Sequence, residues 1–253
     1  MILSASSLSF SYPRHPVLED VSFTLPENRL TCLLGPNGSG KSTLLKLLLG
    51  FLRPSSGSIY IDGKDLKEFS ARETAERIAY IPQESPAVYA HTVKDMVLMG
   101  RAPKLGFLGH PGKEDEEKAE EALEALGIGK LSGRPVTKIS GGEKQLVMLA
   151  RALVQESSVL LLDEPAAALD YSNRLMVLET LEDLAAKGYS VLVSTHNPED
   201  ALLTQSPALA LLGGRLTFHE KIDEPMLTKL YGRKLILSEV DTGEHVRTIC
   251  VPM

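Results

Sequence analysis

Tryptophan is absent from the 253 residues, aromatics make up only 5%, and Cys32 and Cys250 are the whole thiol inventory. Two cysteines build neither the disulfide framework of a small secreted domain nor a thiolate metal site, so a reducing cytosol is expected. Cys32 lies in the apolar run Leu30-Thr31-Cys32-Leu33-Leu34, where a thiol is usually a small core residue. No apolar span of about 18 residues exists. Lys46 and Arg53 interrupt the best one, so the chain is not expected to cross a membrane alone, though it can dock on a protein that does. The first residues lack a basic start and a long apolar stretch, so no signal peptide is expected. There is also no long basic run: 27 Lys and Arg are dispersed among 33 Asp and Glu, for a net charge of −6. That excludes an extended nucleic-acid surface. What is abundant is apolar material, 43% of the chain, enough for one large domain or a core with a subdomain.

The most informative stretch is Gly35-Pro36-Asn37-Gly38-Ser39-Gly40-Lys41-Ser42, which fits the phosphate-binding pattern G-x-x-x-x-G-K-[ST]. A β-compatible run precedes it. The helix formers Thr43 to Leu49 follow, closed by Gly50. Glycines let the backbone wrap an anion without a Cβ in the way. Successive N–H groups and the helix start then supply positive potential. Lys41 reaches the β- and γ-phosphates as a point charge, and the Ser42 hydroxyl is placed to ligate Mg²⁺.

Around this loop the hydrophobic pattern alternates between strands and helices. Leu8, Phe10 and Tyr12 read as one half-buried strand ended by Pro13, and Val21, Phe23 and Leu25 as a second. A strand follows at 57–63, a capped helix at Ser70, and a buried strand over Ile78–Ile81 with Gln83 at its end. From about Ser85 to Val154 no strand pattern occurs, which predicts an inserted helical subdomain. It holds a helix from Thr92 toward Gly100, a loop over 101–112, and a charged helix over 114–126 whose acids read as a solvated face. Ser140-Gly141-Gly142-Glu143 opens a further helix. Val159 to Leu162 reads as a central strand buried on both faces, ending at Asp163-Glu164. A helix over 171–186, a strand over 189–194 ending at Thr195-His196, and hairpins at 208–218 and 235–251 complete the chain. The fold class expected is α/β, a RecA-like phosphate-loop NTPase core with an antiparallel β subdomain and a helical insertion. The expected division is 1–84 with 155–220 as core, 85–154 as insertion, and 221–253 as extension.

Carboxylates at the C-terminal end of a buried strand sit where α/β sheets hold ligands. Asp163 there suits Mg²⁺ through water, and Glu164 suits orienting a water for in-line attack on a γ-phosphate. With these residues in hand the chain resembles the ATP-binding cassette (ABC) ATPases, over Leu3 to about Lys221. Ile139-Ser140-Gly141-Gly142-Glu143 resembles that family's LSGGQ signature, with Ile139 and Glu143 as departures. Gln83, Asp170 and His196 fall where the family has its Q-loop, D-loop and switch histidine. Tyr12 falls where it stacks an aromatic on adenine. Alanines at 166–168 replace the usual threonine and serine, which puts only secondary hydrogen bonds across the dimer in doubt.

The resemblance implies ATP and Mg²⁺ as ligands and a head-to-tail homodimer in which Ser140 and Gly142 cover the γ-phosphate held by the second copy. Gln83 is implied to link Mg²⁺ and the γ-phosphate to a groove for a permease. Thr92 to Arg101 and the loop Leu105-Gly106-Phe107 resemble importers of iron chelates, haem, cobalamin or molybdate-type oxyanions. That implies a subunit on the cytoplasmic face of the cell membrane, under a dimeric permease fed by an external binding protein. A non-transport ABC ATPase and a phosphate-loop kinase are the rival expectations.

Overall fold

The computed structural model describes residues 1–83, 91–105, 109–241, 243 and 246–252. Gly106, Phe107, Thr242, His245 and the expected boundary at 84/85 lie outside the described residues. In chain order the elements are β1 (Leu3–Tyr12), β2 (His15–Thr24), β3 (Leu30–Leu34), α1 (Lys41–Leu48), β4 (Ser56–Ile61), β5 (Lys64–Asp65), α2 (Ala71–Ala75) and β6 (Ile78–Ile81). Then come α3 (Val93–Leu98), α4 (Lys113–Ala125), α5 (Gly141–Leu153), β7 (Val159–Asp163), α6 (Tyr171–Ala186) and β8 (Ser190–Thr195). The last are α7 (Pro198–Leu203), β9 (Ala208–Leu212), β10 (Arg215–His219), α8 (Glu224–Tyr231), β11 (Leu235–Asp241) and β12 (Val246–Pro252). The chain forms two compact units, Met1–Glu68 with Leu181–Met253, and Phe69–Thr180.

The first unit carries an antiparallel sheet in the order β2-β1-β4-β5. The second strand starts at His15, earlier than the sequence predicts from Val21. Pro16 is tolerated there because β2 is an edge strand, where a missing N–H breaks no ladder. In the same unit β3 runs parallel to both β8 and β9, and β10 pairs antiparallel with β9. Every residue of β3 and β8 is buried, as continuous apolar runs dictate for parallel strands. Gly213 and Gly214 turn β9 into β10 with φ of 56° and 78°, the left-handed pair that a two-residue hairpin turn needs. Helix α1 buries Leu44, Leu45, Leu47 and Leu48, each worth roughly 1.5–3 kcal/mol.

Helices α7 and α8 were absent from the sequence expectation, although both carry its usual signals. Asn197 and Asp223 cap their starts, and each has proline in the first turn.

In the second unit β6 and β7 pair in parallel, Ile78 against Val159 through Ile81 against Leu162. Ser70 with Glu73 and Thr92 with Asp95 close capping boxes at the starts of α2 and α3. The acids of the charged helix are mostly exposed, as expected of a solvated face, and some of them are paired. Lys94 bonds Glu116 and Glu120 at 2.9 and 2.7 Å, which draws α3 against α4. Arg101, expected in a loop, is buried and reaches Asp115 at 2.7 Å, Glu156 at 2.8 Å and the Val154 carbonyl at 2.6 Å. Lys118 adds a second bond to Glu156 at 2.8 Å. Its partners hold the Glu156 carboxyl down at about 2, Arg101 foremost and Lys118 next.

Candidate functional site

The phosphate loop leaves β3 at Leu34 and enters α1 at Lys41. Two of its glycines are forced by space. A Cβ on Gly35 would lie 2.6 Å from the Leu211 carbonyl oxygen and from Ser39 Oγ. One on Gly40 would lie 2.8 Å from Val17 Cγ1, at a φ of 104° that side chains rarely adopt. Gly40 is also the N-cap of α1, so no side chain bonds the first-turn N–H groups. Those donors and the helix dipole are what an anion would meet. Lys41 is buried, and its Nζ donates to the carbonyls of Gly35 at 2.9 Å and Pro36 at 3.3 Å. The ammonium is thereby held across the mouth of its own loop. Ser39 Oγ is buried without a hydrogen-bond partner. Ser42 is half-buried, Thr43 buried, and Asn37 and Gly38 are exposed.

Two other expected residues belong to the same unit. Leu34 pairs with Thr195, so the ladder brings Gly35 and His196 level at the ends of adjacent strands. His196 is exposed, and its carbonyl accepts a bond from the Tyr231 hydroxyl at 2.8 Å. Tyr12 presents a 40% exposed ring, braced edge-on by Phe10 with centroids 4.9 Å apart.

The second unit holds the rest. Asp163 ends β7, only 3% exposed. Tyr80 on β6 hydrogen-bonds it. Burial, the Asp163 charge and that bond push the Tyr80 phenol up to about 12. Glu164 takes a left-handed φ of 47°, rare for a side chain of its size and rarer still before proline. The pairing of Ile81 with Leu162 carries exposed Gln83 to the same strand ends as Asp163 and Glu164.

The signature segment is a closed capping box. Ser140 N donates to Glu143 Oε2 at 2.7 Å, and Glu143 N donates back to Ser140 Oγ at 3.3 Å. The bond from the Ser140 backbone N–H most, and one from the Ser140 side chain next, hold the Glu143 carboxyl below its ordinary range. Ser140 Oγ thus accepts from Glu143 N while its hydroxyl bonds the Glu143 carboxylate. A Cβ on Gly142 would lie 2.2 Å from Asn173 Oδ1. Asn173 in turn donates from N and Nδ2 to Asp170 at 2.9 and 2.7 Å. Gly142, Asn173 and Asp170 are therefore one packed cluster.

Sequence reasoning missed Tyr80, Asn173 and Tyr231. The spacing Asp170-x-x-Asn173 is a helix-start signal that points to the second, since Asp170 accepts from the Asn173 N–H. Among the described residues no helix is long and apolar enough to cross a membrane.

The family profile described as ABC transporter matches residues 18–167, from before the phosphate loop past Glu164. An uncharacterized ABC transporter ATP-binding protein of Haemophilus influenzae is 40% identical over 90% of this chain and 86% of its own length. The ferric enterobactin transport ATP-binding protein FepC of Escherichia coli is 32% identical over 93% of this chain and 89% of its own. A solved ABC transporter described as of the metal-chelate type, in an inward-facing conformation, superposes with a TM-score of 0.89 at 33% identity. That match covers 99% of this chain and 97% of the other. Phosphate loop, strand-end carboxylates and whole-chain likeness thus converge: the chain belongs to the ABC transporter family, as an ATP-binding subunit with the phosphate-loop NTPase fold and ABC-type ATPase activity.

Proposed function

We propose that this chain drives import of an iron chelate or related metal complex by hydrolysing ATP, as a homodimer beneath a membrane permease at the cytoplasmic face. The names of the Escherichia coli relative and of the metal-chelate type structure support that cargo class. The resemblance of Thr92 to Arg101 to such importers supports it too. An external binding protein would deliver the cargo to the permease.

The observation that carries the hydrolytic part is the backbone of Glu164. A left-handed glutamate costs on the order of 1–3 kcal/mol and persists only where its surroundings impose it. In this mechanism the strain turns the carboxylate out of the strand alternation to orient and polarise the attacking water. Lys41 and the uncapped start of α1 bind the β- and γ-phosphates, and Tyr12 stacks on adenine. His196 hydrogen-bonds the γ-phosphate. Ser140 and Gly142 contact the nucleotide of the second copy, and Asp170 acts across the same dimer.

The residues fit Mg²⁺. In this reading Ser42, Asp163 and Gln83 would each supply a hard oxygen donor. Among the described residues no three His, Cys, Asp or Glu side chains could cage a metal. That suits an ion that keeps water and phosphate oxygens as most of its ligands. When bound, it neutralises charge on the β- and γ-phosphate oxygens.

Glu164→Gln tests the reading. Steady-state hydrolysis should fall about 10²–10⁴-fold with ATP affinity intact, and ATP should trap a closed dimer by light scattering. Normal turnover in that variant refutes the role of Glu164. Purification of the native complex should bring down a polytopic membrane subunit; its absence favours a non-transport ABC ATPase.

A further inference from the structure

The extension after β10 carries no nucleotide motif, yet it is built as a rigid piece. Asp223 caps α8 by accepting from Met226 N at 2.8 Å, and Gly232 closes the helix in the left-handed region at φ 66°. The first strand of the terminal ribbon is fastened to that helix. Leu235 N donates to Thr228 Oγ1 at 3.2 Å, and Leu237 N donates to Glu224 Oε1 at 2.8 Å. From the last residue of α8 the Tyr231 hydroxyl donates to the His196 carbonyl at 2.8 Å.

That bond borders an open cavity of about 380 Å³, lined among others by His196, Glu199, Tyr231, Arg233 and Cys250. Beside this cavity the extension reaches the histidine's loop through the Tyr231 hydroxyl. On its other side the loop is fixed from β8 and α7. Asn197 N donates to Thr195 Oγ1 at 3.0 Å, Thr195 Oγ1 donates to Asp200, and the Asn197 side chain caps α7. The His196 peptide is thus pinned from both directions.

We propose that Tyr231 is a positioning residue for His196, fixing its backbone carbonyl so that the imidazole is held for the γ-phosphate. The proposal rests on the role given to His196 above. Burial raises the Tyr231 phenol above its ordinary range, so it stays a protonated donor.

Tyr231→Phe removes the one oxygen and leaves the ring. The expected result is a fall in kcat for ATP hydrolysis of about five- to tenfold, the scale of one hydrogen bond, with KM and ATP affinity unchanged. The melting temperature should stay within about 2 °C of the wild type. In a His196→Ala background, Tyr231→Phe should add nothing, because its effect passes through that residue. Wild-type kcat in Tyr231→Phe, beside loss of hydrolysis in His196→Ala, overturns this inference alone. An undiminished fall in the double variant, or a loss of activity that tracks a lower melting temperature, overturns it too. Full hydrolysis in His196→Ala removes the role of His196 and this inference with it.

Discussion

Two helix starts in this chain, those of α1 and α5, are both proposed to contact phosphate, and they are built in opposite ways. Helix α1 opens on a left-handed glycine, with no capping side chain and no acid in its first turn. Its first-turn donors are left for a ligand. Helix α5 opens on a closed Ser140–Glu143 box, which spends the Ser140 and Glu143 N–H groups on its own residues. A helix start is an anion site to the extent that its own chain leaves donors unspent. By that measure the phosphate loop is a site alone, and the signature loop, with part of its donors spent inside its own box, depends on a phosphate brought to it.

Breaking the first start should have the larger effect. Gly40→Ala puts a methyl 2.8 Å from Val17 Cγ1 at φ 104°. Its strain, about 1–3 kcal/mol or more with the clash, should weaken ATP binding about a hundredfold by calorimetry. Unchanged affinity would show that α1 does not depend on its uncapped geometry. Gly142→Ala is the matching change at the second start. Its methyl displaces Asn173 and, through it, Asp170. Turnover should fall about tenfold, a cost of about 1.4 kcal/mol in the transition state, while ATP affinity of the isolated chain holds. Weaker binding there would erase the contrast between the two loops.

The smallest effect separates the two helices by pH. The segment just past α5 ends in Glu156, held by Arg101 and Lys118, whereas α1 has no acid in its first turn. Glu156 falls from its ordinary 4.5 to about 2 on folding. Its contribution is therefore fully present above about pH 4.5 and lost as pH falls through about 2. Thermal melts across that window should show a shallower loss of stability in Glu156→Gln than in the wild type. Identical slopes would mean the network adds nothing there, as exposed ion pairs often do.

The legible parts of this chain were those whose cause is local. The phosphate loop, the buried runs of β3 and β7 and the Gly213-Gly214 turn each follow from a few consecutive residues. The β2 start was misplaced because Pro16 breaks a strand in the interior but not at an edge, and edge position is a property of the sheet. Arg101 read as loop because its partners, Asp115 and Glu156, lie 14 and 55 residues away. At the candidate site the residue types were visible in the sequence. Of the supports, Asn173 carried only a helix-start signal and Tyr80 and Tyr231 carried none, because each acts by touching a motif rather than belonging to one.

The thiols illustrate how sharply the core of the first unit is sealed. Cys32 is wholly enclosed in β3, where burial above all raises its thiol, while Cys250 stands half-exposed on β12. A maleimide fluorophore added to the native protein would label the terminal ribbon and spare the strand that feeds the phosphate loop. The unaltered sequence thus comes with one addressable optical handle, on the terminal ribbon beside the cavity that His196 and Tyr231 line.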